Sequence, residues 1–171
     1  MRSQKNLFGR YAHSIKPGQL QWIGVRPEHK NPMLGMLSVY AQEGLGLTGD
    51  HRCTKTPGSS RQVTVISSEY ISQIEHFSGI DNIDPKRLRR NLVISGINLT
   101  ALRYQQFTIG SAVFEATALC HPCSRMEKEL GPGGLVAMLG HGGLCAKIIQ
   151  SGTIEVGDTV KVITPSQQDL F

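Results

Sequence analysis

The chain has 171 residues, of which 39% are hydrophobic, 18% are charged and 6% are aromatic. This composition excludes a coiled coil, a collagen-like repeat and a chain too polar to fold, and the length fits one domain with an ordinary hydrophobic core. No apolar run approaches the ~18 residues of a membrane span, and the N-terminus lacks the apolar segment of a signal peptide. We therefore expect a cytoplasmic protein with no membrane partner, in which the four cysteines are reduced thiols, metal ligands or catalytic groups.

The 18 lysines and arginines outnumber the 13 acidic residues, and the resulting net charge of +5 favours an anionic partner. Only residues 86–90 form a basic run, whereas the other basic residues are scattered and are not interleaved with aromatic residues. This distribution argues against nucleic acid as the partner. A small phosphorylated ligand requires only a few such charges.

Short β-type segments recur along the chain between turn residues, which is typical of an all-β barrel or sandwich. We predict strands at residues 20–25, 36–41, 62–66, 92–94, 107–109, 112–117, 146–149 and 159–163. The segment at 62–66 alternates apolar and polar residues, and Gly152 is predicted to lie in a turn. The fold class is therefore mainly β, with a closed or partly open barrel and a few short peripheral helices.

Helix signals are few. Ser67 or Ser68 caps a predicted helix over residues 68–78 that Gly79 ends, and Asp84 with Pro85 opens one further turn. Ser124 and Glu127 match a capping box, the first of two short helical pieces between residues 124 and 141. Residues 1–19 are predicted to be a loose N-terminal extension, residues 20–163 the domain, and residues 164–171 a tail.

The sharpest local motif is Cys120-His121-Pro122-Cys123. Cys123 directly precedes a predicted helix N-terminus and lies beside Arg125, where backbone N–H groups and positive charge favour thiolate over thiol. Cys123 is therefore a candidate nucleophile or soft-metal ligand. Three alternatives stay open: buried structural cysteines, a thioredoxin-like redox pair, which requires a β-α-β setting, and a zinc site completed by His141 and Cys145.

Two glycine-rich loops, at residues 44–52 and 131–134, match neither the dinucleotide-binding motif nor the P-loop. Together with arginine side chains they could cradle a phosphate group through N–H donors. The candidate arginines are Arg52, Arg61, Arg89 and Arg90. The ordinary interpretation of any one of them is a solvated surface charge.

Several segments follow one another in a particular order: WIGVRP at 22–27, GLTGDH at 46–51, RQVTVI at 61–66 followed by Glu69, RRNLVISG at 89–96, IGSA at 109–112, CHPC at 120–123 and GTIEVGD at 152–158. This ordered set covers about residues 22–163 and resembles the MOSC domain. That domain is the C-terminal part of eukaryotic molybdenum cofactor sulfurase and also occurs as small stand-alone bacterial proteins.

The resemblance implies a β-barrel that binds molybdenum cofactor, a phosphate-bearing pterin dithiolene (molybdopterin). It implies that Cys123 either ligates molybdenum in a reductase of N-hydroxylated substrates or carries persulfide sulfur, unless the protein is a non-catalytic cofactor-binding module. Positions that match the cofactor side are Arg52, Arg61, Arg89, Arg90 and Asn91. A separate electron-donor or sulfur-donor protein is also implied, since the sequence holds no flavin or iron–sulfur motif. The Thr-Val-Asp-Pro stretch of the mitochondrial amidoxime-reducing relatives is replaced by residues 124–127, so their substrate class does not transfer directly.

Overall fold

The computed structural model describes residues 2–164, which form a β-barrel flanked by short helices. Its strands are β1 (Gly18–Val25), β2 (Leu34–Met36), β3 (Ser38–Gln42), β4 (Gly46–Leu47), β5 (Val63–Ser67), β6 (Leu92–Ser95), β7 (Gln106–Ile109), β8 (Ala112–Leu119), β9 (Leu144–Gln150), β10 (Gly152–Glu155) and β11 (Thr159–Val162). Seven of them close into a barrel in the order β1, β6, β5, β9, β8, β7, β11, and β11 pairs back with β1. The predicted mainly β fold is confirmed.

All neighbouring strands of the barrel are antiparallel except β5 and β6, which run parallel because the chain between them crosses over through helices. β2 extends the barrel sheet beyond β1, while β10, β3 and β4 form a separate three-stranded sheet.

The predicted strand at 36–41 is wrong in one respect, because the chain bends at Leu37 and contributes to two sheets. Residues before the bend, in β2, pair with β1, and residues after it, in β3, pair with β10. Leu37 itself is 83% exposed, so no packing holds it in a continuous strand. Gly152, predicted to lie in a turn, begins β10 instead and pairs with Ala41 of β3.

Two hydrophobic clusters stabilise the fold. The barrel interior contains Phe107 and Phe114, whose rings stack with centroids 5.6 Å apart. A second cluster, which includes Ile66 and Ile74, lies between the barrel wall and the helices. Because both of its faces are covered, every residue of β5 is buried, and the alternation predicted for residues 62–66 does not produce a solvent-facing side.

The helices are α1 (Arg2–Tyr11), α2 (Ser68–Ser78), α3 (Pro85–Leu88), α4 (Ser124–Leu130) and α5 (Gly134–Ala137). The Ser67 hydroxyl accepts a hydrogen bond from the backbone N–H of Tyr70, and Gly79 ends α2 in the left-handed conformation with φ 70°. The predicted helices and caps of α2 and α3 are confirmed. No helix among residues 2–164 is long and apolar enough to cross a bilayer.

The predicted capping box of α4 is wrong. Cys123, not Ser124, is the N-cap residue, and its side chain makes no capping hydrogen bond. The Glu127 carboxylate points forward instead and accepts the backbone N–H groups of Gly133 (2.7 Å) and Leu135 (2.9 Å). It thereby stabilises the start of α5, and it leaves the N-terminus of α4 open.

Residues 1–19, predicted to be loose, contain α1, a 3₁₀ turn at Ala12–Ser14 and the start of β1. Ala12 is buried in the barrel core, and Phe8 stacks on Tyr104 with ring centroids 6.4 Å apart. Local packing thus orders this segment. Of the predicted tail at 164–171, residues 165–171 lie outside the described residues.

Candidate functional site

An open pocket of about 230 Å³ lies on the outer side of β5. Thr64 of β5 lines it, whereas the neighbouring Val63 and Val65 belong to the barrel interior. The remaining walls come from the segments that follow β1, precede β5 and β6, and join β8 to α4, together with the first turn of α4. Eight of the lining residues are arginines or cysteines: Arg26, Arg52, Arg61, Arg89, Arg90, Arg125, Cys120 and Cys123.

The pocket concentrates positive charge that is scattered along the sequence. Burial, and then the charge of nearby Arg89, lower the pKa of Arg26. Burial, and then Arg125, lower the pKa of Arg89. These guanidinium groups repel one another and have lost part of their hydration. An anion bound between them would offset both effects.

Arg89 presents the clearest donor for such an anion. It ends α3 with φ 57°, a left-handed conformation that is costly for a residue with a side chain. Its Nη1 lies 3.4 Å from the carbonyl of Asn31 and 3.7 Å from Oε1 of Glu129, whereas its Nη2 is buried and has no hydrogen-bond partner. Since buried N–H groups are nearly always paired, this atom fits a ligand oxygen.

Asp50 is a buried residue that holds two arginine-bearing segments of the pocket in place. Asp50 is 4% exposed, and its carboxylate accepts the backbone N–H groups of Arg26 and Arg52, each over 3.0 Å. It also lies 3.0 Å from Nδ1 of His51. Both arginine segments are therefore anchored to one buried carboxylate, which the sequence analysis did not single out.

Asn91 lines the pocket, but the protein itself occupies its side-chain amide. The amide oxygen accepts the backbone N–H of Thr64 at 3.1 Å and its hydroxyl at 3.0 Å. The amide nitrogen donates to the carbonyl of Gly24 and to Asp50. Asn91 thus joins β1, β5 and the Asp50 segment, which makes it a positioning residue.

Arg90 is not a solvated surface charge. It is buried, and it donates to the carbonyl oxygens of Gly142 (2.7 Å), Leu88 (3.0 Å) and Cys120 (3.5 Å). These bonds fix the segment that carries the cysteines. The guanidinium N–H groups of Arg90 therefore donate mainly to backbone carbonyl oxygens, in contrast to those of Arg89.

The two cysteines of the motif differ in their surroundings. Cys123 is exposed at the entrance of α4, whereas Cys120 is buried beside Cys145 of β9. The Cys145 hydrogen bond lowers the pKa of Cys120 to about 5, against the effect of burial and with help from Arg90 and Arg61. The same hydrogen bond, together with burial, raises the pKa of Cys145. The residue pattern directed attention to Cys123 and grouped Cys120 with Cys145 only as ligands of the alternative zinc site.

The structure does not support the other interpretations of the motif. Cys120 follows a strand whose neighbours are antiparallel, so the β-α-β setting of a thioredoxin-like pair is missing. His141 packs against the rings of Tyr70 and Phe77, away from Cys145. Within residues 2–164, no three His, Cys, Asp or Glu side chains cluster to hold a zinc ion.

Comparison with known proteins decides the family. The family model described as the MOSC domain matches residues 50–161, more than half of the chain. The chain belongs to the MOSC domain family. No curated protein matches the chain significantly.

Solved structures share the MOSC fold. The YuaD protein from Bacillus subtilis is 19% identical, with a TM-score of 0.73 over 89% of this chain and 98% of that one. YiiM from Geobacillus stearothermophilus is 17% identical, with a TM-score of 0.69 over 85% and 75% of the two chains. YiiM from Escherichia coli is 15% identical, with a TM-score of 0.65 over 86% and 71%. These similarities establish the architecture of the domain.

The MOSC match contains all the site residues singled out from the sequence, namely Arg52, Arg61, Arg89, Arg90, Asn91 and Cys123. The structure brings them to one pocket. Three further residues of that pocket, Arg26, His29 and Met33, lie N-terminal to the match and were missed. Arg26 directly follows β1, and a basic residue at the end of a predicted strand was the one sequence signal that could have placed it in the pocket.

Proposed function

We propose that this MOSC protein binds molybdenum cofactor in the arginine-lined pocket, with Cys123 as the molybdenum ligand, and reduces N-hydroxylated substrates. The observation that carries the proposal is that exposed Cys123 shares the pocket with six arginines, of which Arg89 has a buried N–H group without a partner. A thiolate suits a soft metal centre, and guanidinium groups suit phosphate.

The residues divide into two roles. Arg26, Arg89 and Arg125 face the pocket and would hold the phosphate of the pterin, with Nη2 of Arg89 as a donor. Asp50 and Asn91 hold the arginine segments in place. When bound, the cofactor would supply the two-electron redox chemistry, and Cys123 would hold the metal at the open side of the pocket, where a small substrate has access.

Electrons would come from a separate donor protein, because the sequence holds no flavin or iron–sulfur motif of its own. The opening of the pocket suits a small anionic ligand, and we do not propose nucleic acid as a partner. The cytoplasmic location expected from the sequence stays a prediction.

The test is to express the full chain in a host that makes molybdenum cofactor and to measure bound molybdenum and pterin. We expect both in the wild type. Cys123→Ser should keep much of the pterin but lose turnover of a hydroxylamine-type substrate with a chemically reduced dye as donor. Arg89→Ala should lose pterin. Cys53→Ser is the matched control, since Cys53 lies outside the pocket lining. A wild-type protein that binds neither molybdenum nor pterin would contradict the proposal.

A second candidate, a sulfur carrier, is favoured by one feature: Cys123 is exposed and can meet the cysteine of another protein. Mass spectrometry after incubation with a sulfur donor distinguishes the two. If Cys123 gains one sulfur atom and passes it to an acceptor, and the protein shows no reductase turnover, the sulfur-carrier function replaces the reductase function.

A further inference from the structure

Arg61 lies between two buried cysteines that the proposed reaction does not use. Its Nε is 3.1 Å from Sγ of Cys145, and its Nη2 is 3.2 Å from Sγ of Cys120. Cys120 is 2% exposed and Cys145 is 4% exposed. One guanidinium group therefore binds both sulfur atoms, an arrangement that favours a shared thiolate.

The sheet places the two sulfur atoms together. Cys145 of β9 pairs with Ala118 of β8, and the backbone N–H of Cys120 donates to the carbonyl of Gly143 over 2.8 Å. Cys120 and Cys145 are thus diagonal neighbours on adjacent antiparallel strands, with their side chains on the same face. The two groups are close enough for each to shift the pKa of the other.

Two further features support a reactive site at this cysteine pair: the position of Cys120 at the pocket and the charge of Arg61. Cys120 also lines the arginine pocket, so a small oxidant in the pocket lies next to this residue, of which 2% is exposed. Cys145 does not line the pocket and lies behind it. Among residues 2–164, no carboxylate is paired with Arg61, so the sulfur pair is its anionic partner.

We propose that Cys120 and Cys145 are a reversible dithiol modification site for small hydroperoxides, and that closing their disulfide frees Arg61 to bind an anion in the pocket. The inference concerns the pocket of the proposed function and rests on that function only for the identity of the natural anion.

The chemistry needs only the hydroperoxide. The Cys120 thiolate attacks one peroxide oxygen, an S–O bond forms as the O–O bond breaks, and the other oxygen leaves as the alcohol after taking a proton. The sulfur of Cys145 then attacks Cys120, the S–S bond forms, and hydroxide leaves with the Cys145 proton as water. Two thiols lose two electrons in total, and the peroxide gains them.

The consequence at Arg61 is electrostatic. In the reduced protein the guanidinium charge is balanced by one thiolate, whereas a disulfide carries no charge. Oxidation therefore adds one net positive charge to the pocket lining. We expect oxidised protein to bind inorganic phosphate several-fold more tightly than reduced protein, and the difference should shrink as salt is raised.

The first test treats cofactor-free protein, full length and carrying Cys123→Ser, with hydrogen peroxide. We expect the intact mass to fall by two hydrogen atoms and digestion to give a peptide pair linked through Cys120 and Cys145, both reversed by dithiothreitol. Because Cys123 is absent, the result does not depend on the proposed function. The digestion is repeated on the wild type, in which Cys123 can compete with Cys145 for the disulfide to Cys120.

Two results would overturn the proposal. One is a wild-type protein that links Cys120 to Cys123 or forms no disulfide while its exposed cysteines oxidise. The other is a Cys120–Cys145 disulfide that leaves phosphate affinity unchanged or weaker, which would separate the modification from Arg61. Arg61→Gln should still form the disulfide, more slowly, but should show no redox difference in phosphate binding. Cys53→Ser should respond like the wild type.

Discussion

Asn91 donates a side-chain amide N–H to Oδ2 of Asp50 over 3.1 Å. This single bond connects the residue before β6 to the N-cap of the 3₁₀ turn His51–Thr54, which carries Arg52, and the two partners are 41 residues apart in the chain. Both partners are buried. The segments of Arg26 and Arg52 are therefore held by a neutral amide and a carboxylate in the protein interior.

Replacing Asp50 by Asn tests this anchor. The carboxylate accepts N–H groups on both oxygens, and an amide offers only one acceptor oxygen, so at least one buried donor would lose its partner. We expect a loss of about 1–3 kcal/mol in the free energy of unfolding. Urea denaturation measures it, with Asp81→Asn on the exposed surface as the control. Equal midpoints for the two variants would show that the network is dispensable.

Two adjacent arginines should behave differently. Arg90→Ala leaves buried backbone carbonyl groups unpaired, each at a cost of about 1–3 kcal/mol, so the variant should be clearly destabilised. Arg89→Ala removes a side chain with an unpaired N–H group, so it should alter stability little while weakening phosphate binding. Thermal denaturation and phosphate titration of both variants are the measurements. Similar melting temperatures would contradict the division of roles.

Gly143 should not tolerate a side chain. It has φ 92°, and a Cβ atom there would lie 2.1 Å from the carbonyl oxygen of Val65. Gly143→Ala should therefore destabilise the protein by about 1–3 kcal/mol or more, through strained backbone and forced displacement of β5. Gly9→Ala is the matched control, because Gly9 lies in α1 with open space around it. Calorimetry of the two variants gives the comparison.

The free energy of unfolding should depend on pH through the buried thiols. The folded-state pKa of Cys120 is about 5, whereas an unfolded cysteine has a pKa of about 8.5. The groups that face Cys120 are Arg61, Arg90 and Cys145. Because the folded pKa is depressed, this stabilisation is present above about pH 8.5 and is lost as pH falls toward about 5. The raised pKa of Cys145 lowers the free energy of unfolding with rising pH, but only above the pKa of an unfolded cysteine.

The expected result is a rise in stability from about pH 5 to about pH 8.5 that Arg61→Gln reduces. Denaturant titrations at several pH values measure it, and ultraviolet absorbance of the thiolate in a variant lacking Cys53 and Cys123 counts the titrating groups. A variant and wild type with identical pH profiles would show that Arg61 does not stabilise the thiolate.

What the sequence predicted well was local. Ser67 and Gly79 bound α2 because a capping hydroxyl and a left-handed glycine act within a few residues, and the pattern shows both. The strands were recognisable for the same reason, since turn residues separate them. The position of Cys123 immediately before α4 also followed from local chemistry.

What it missed depends on contacts between distant segments. The alternation around Thr64 indicates a half-exposed strand, but on the outer face of β5 Asn91 covers Thr64 and the helices cover Ile66, so both faces are buried. Asp50 resembles an ordinary turn residue until Arg26 and Asn91 approach it from elsewhere in the chain. Cys145 lies outside the Cys120–Cys123 motif, and the register of β8 and β9 brings it to Cys120.

The closing pair of the barrel, in which Gly18 of β1 lies opposite Val160 of β11, has a consequence for how the protein acquires a ligand. These residues come from opposite ends of the described chain, and pairings of such long sequence separation carry a large loop-closure entropy and slow folding. The pocket draws on β1 and β6, which the last strand completes into a cylinder. A ligand that needs the closed barrel can therefore bind only once β11 has paired with β1.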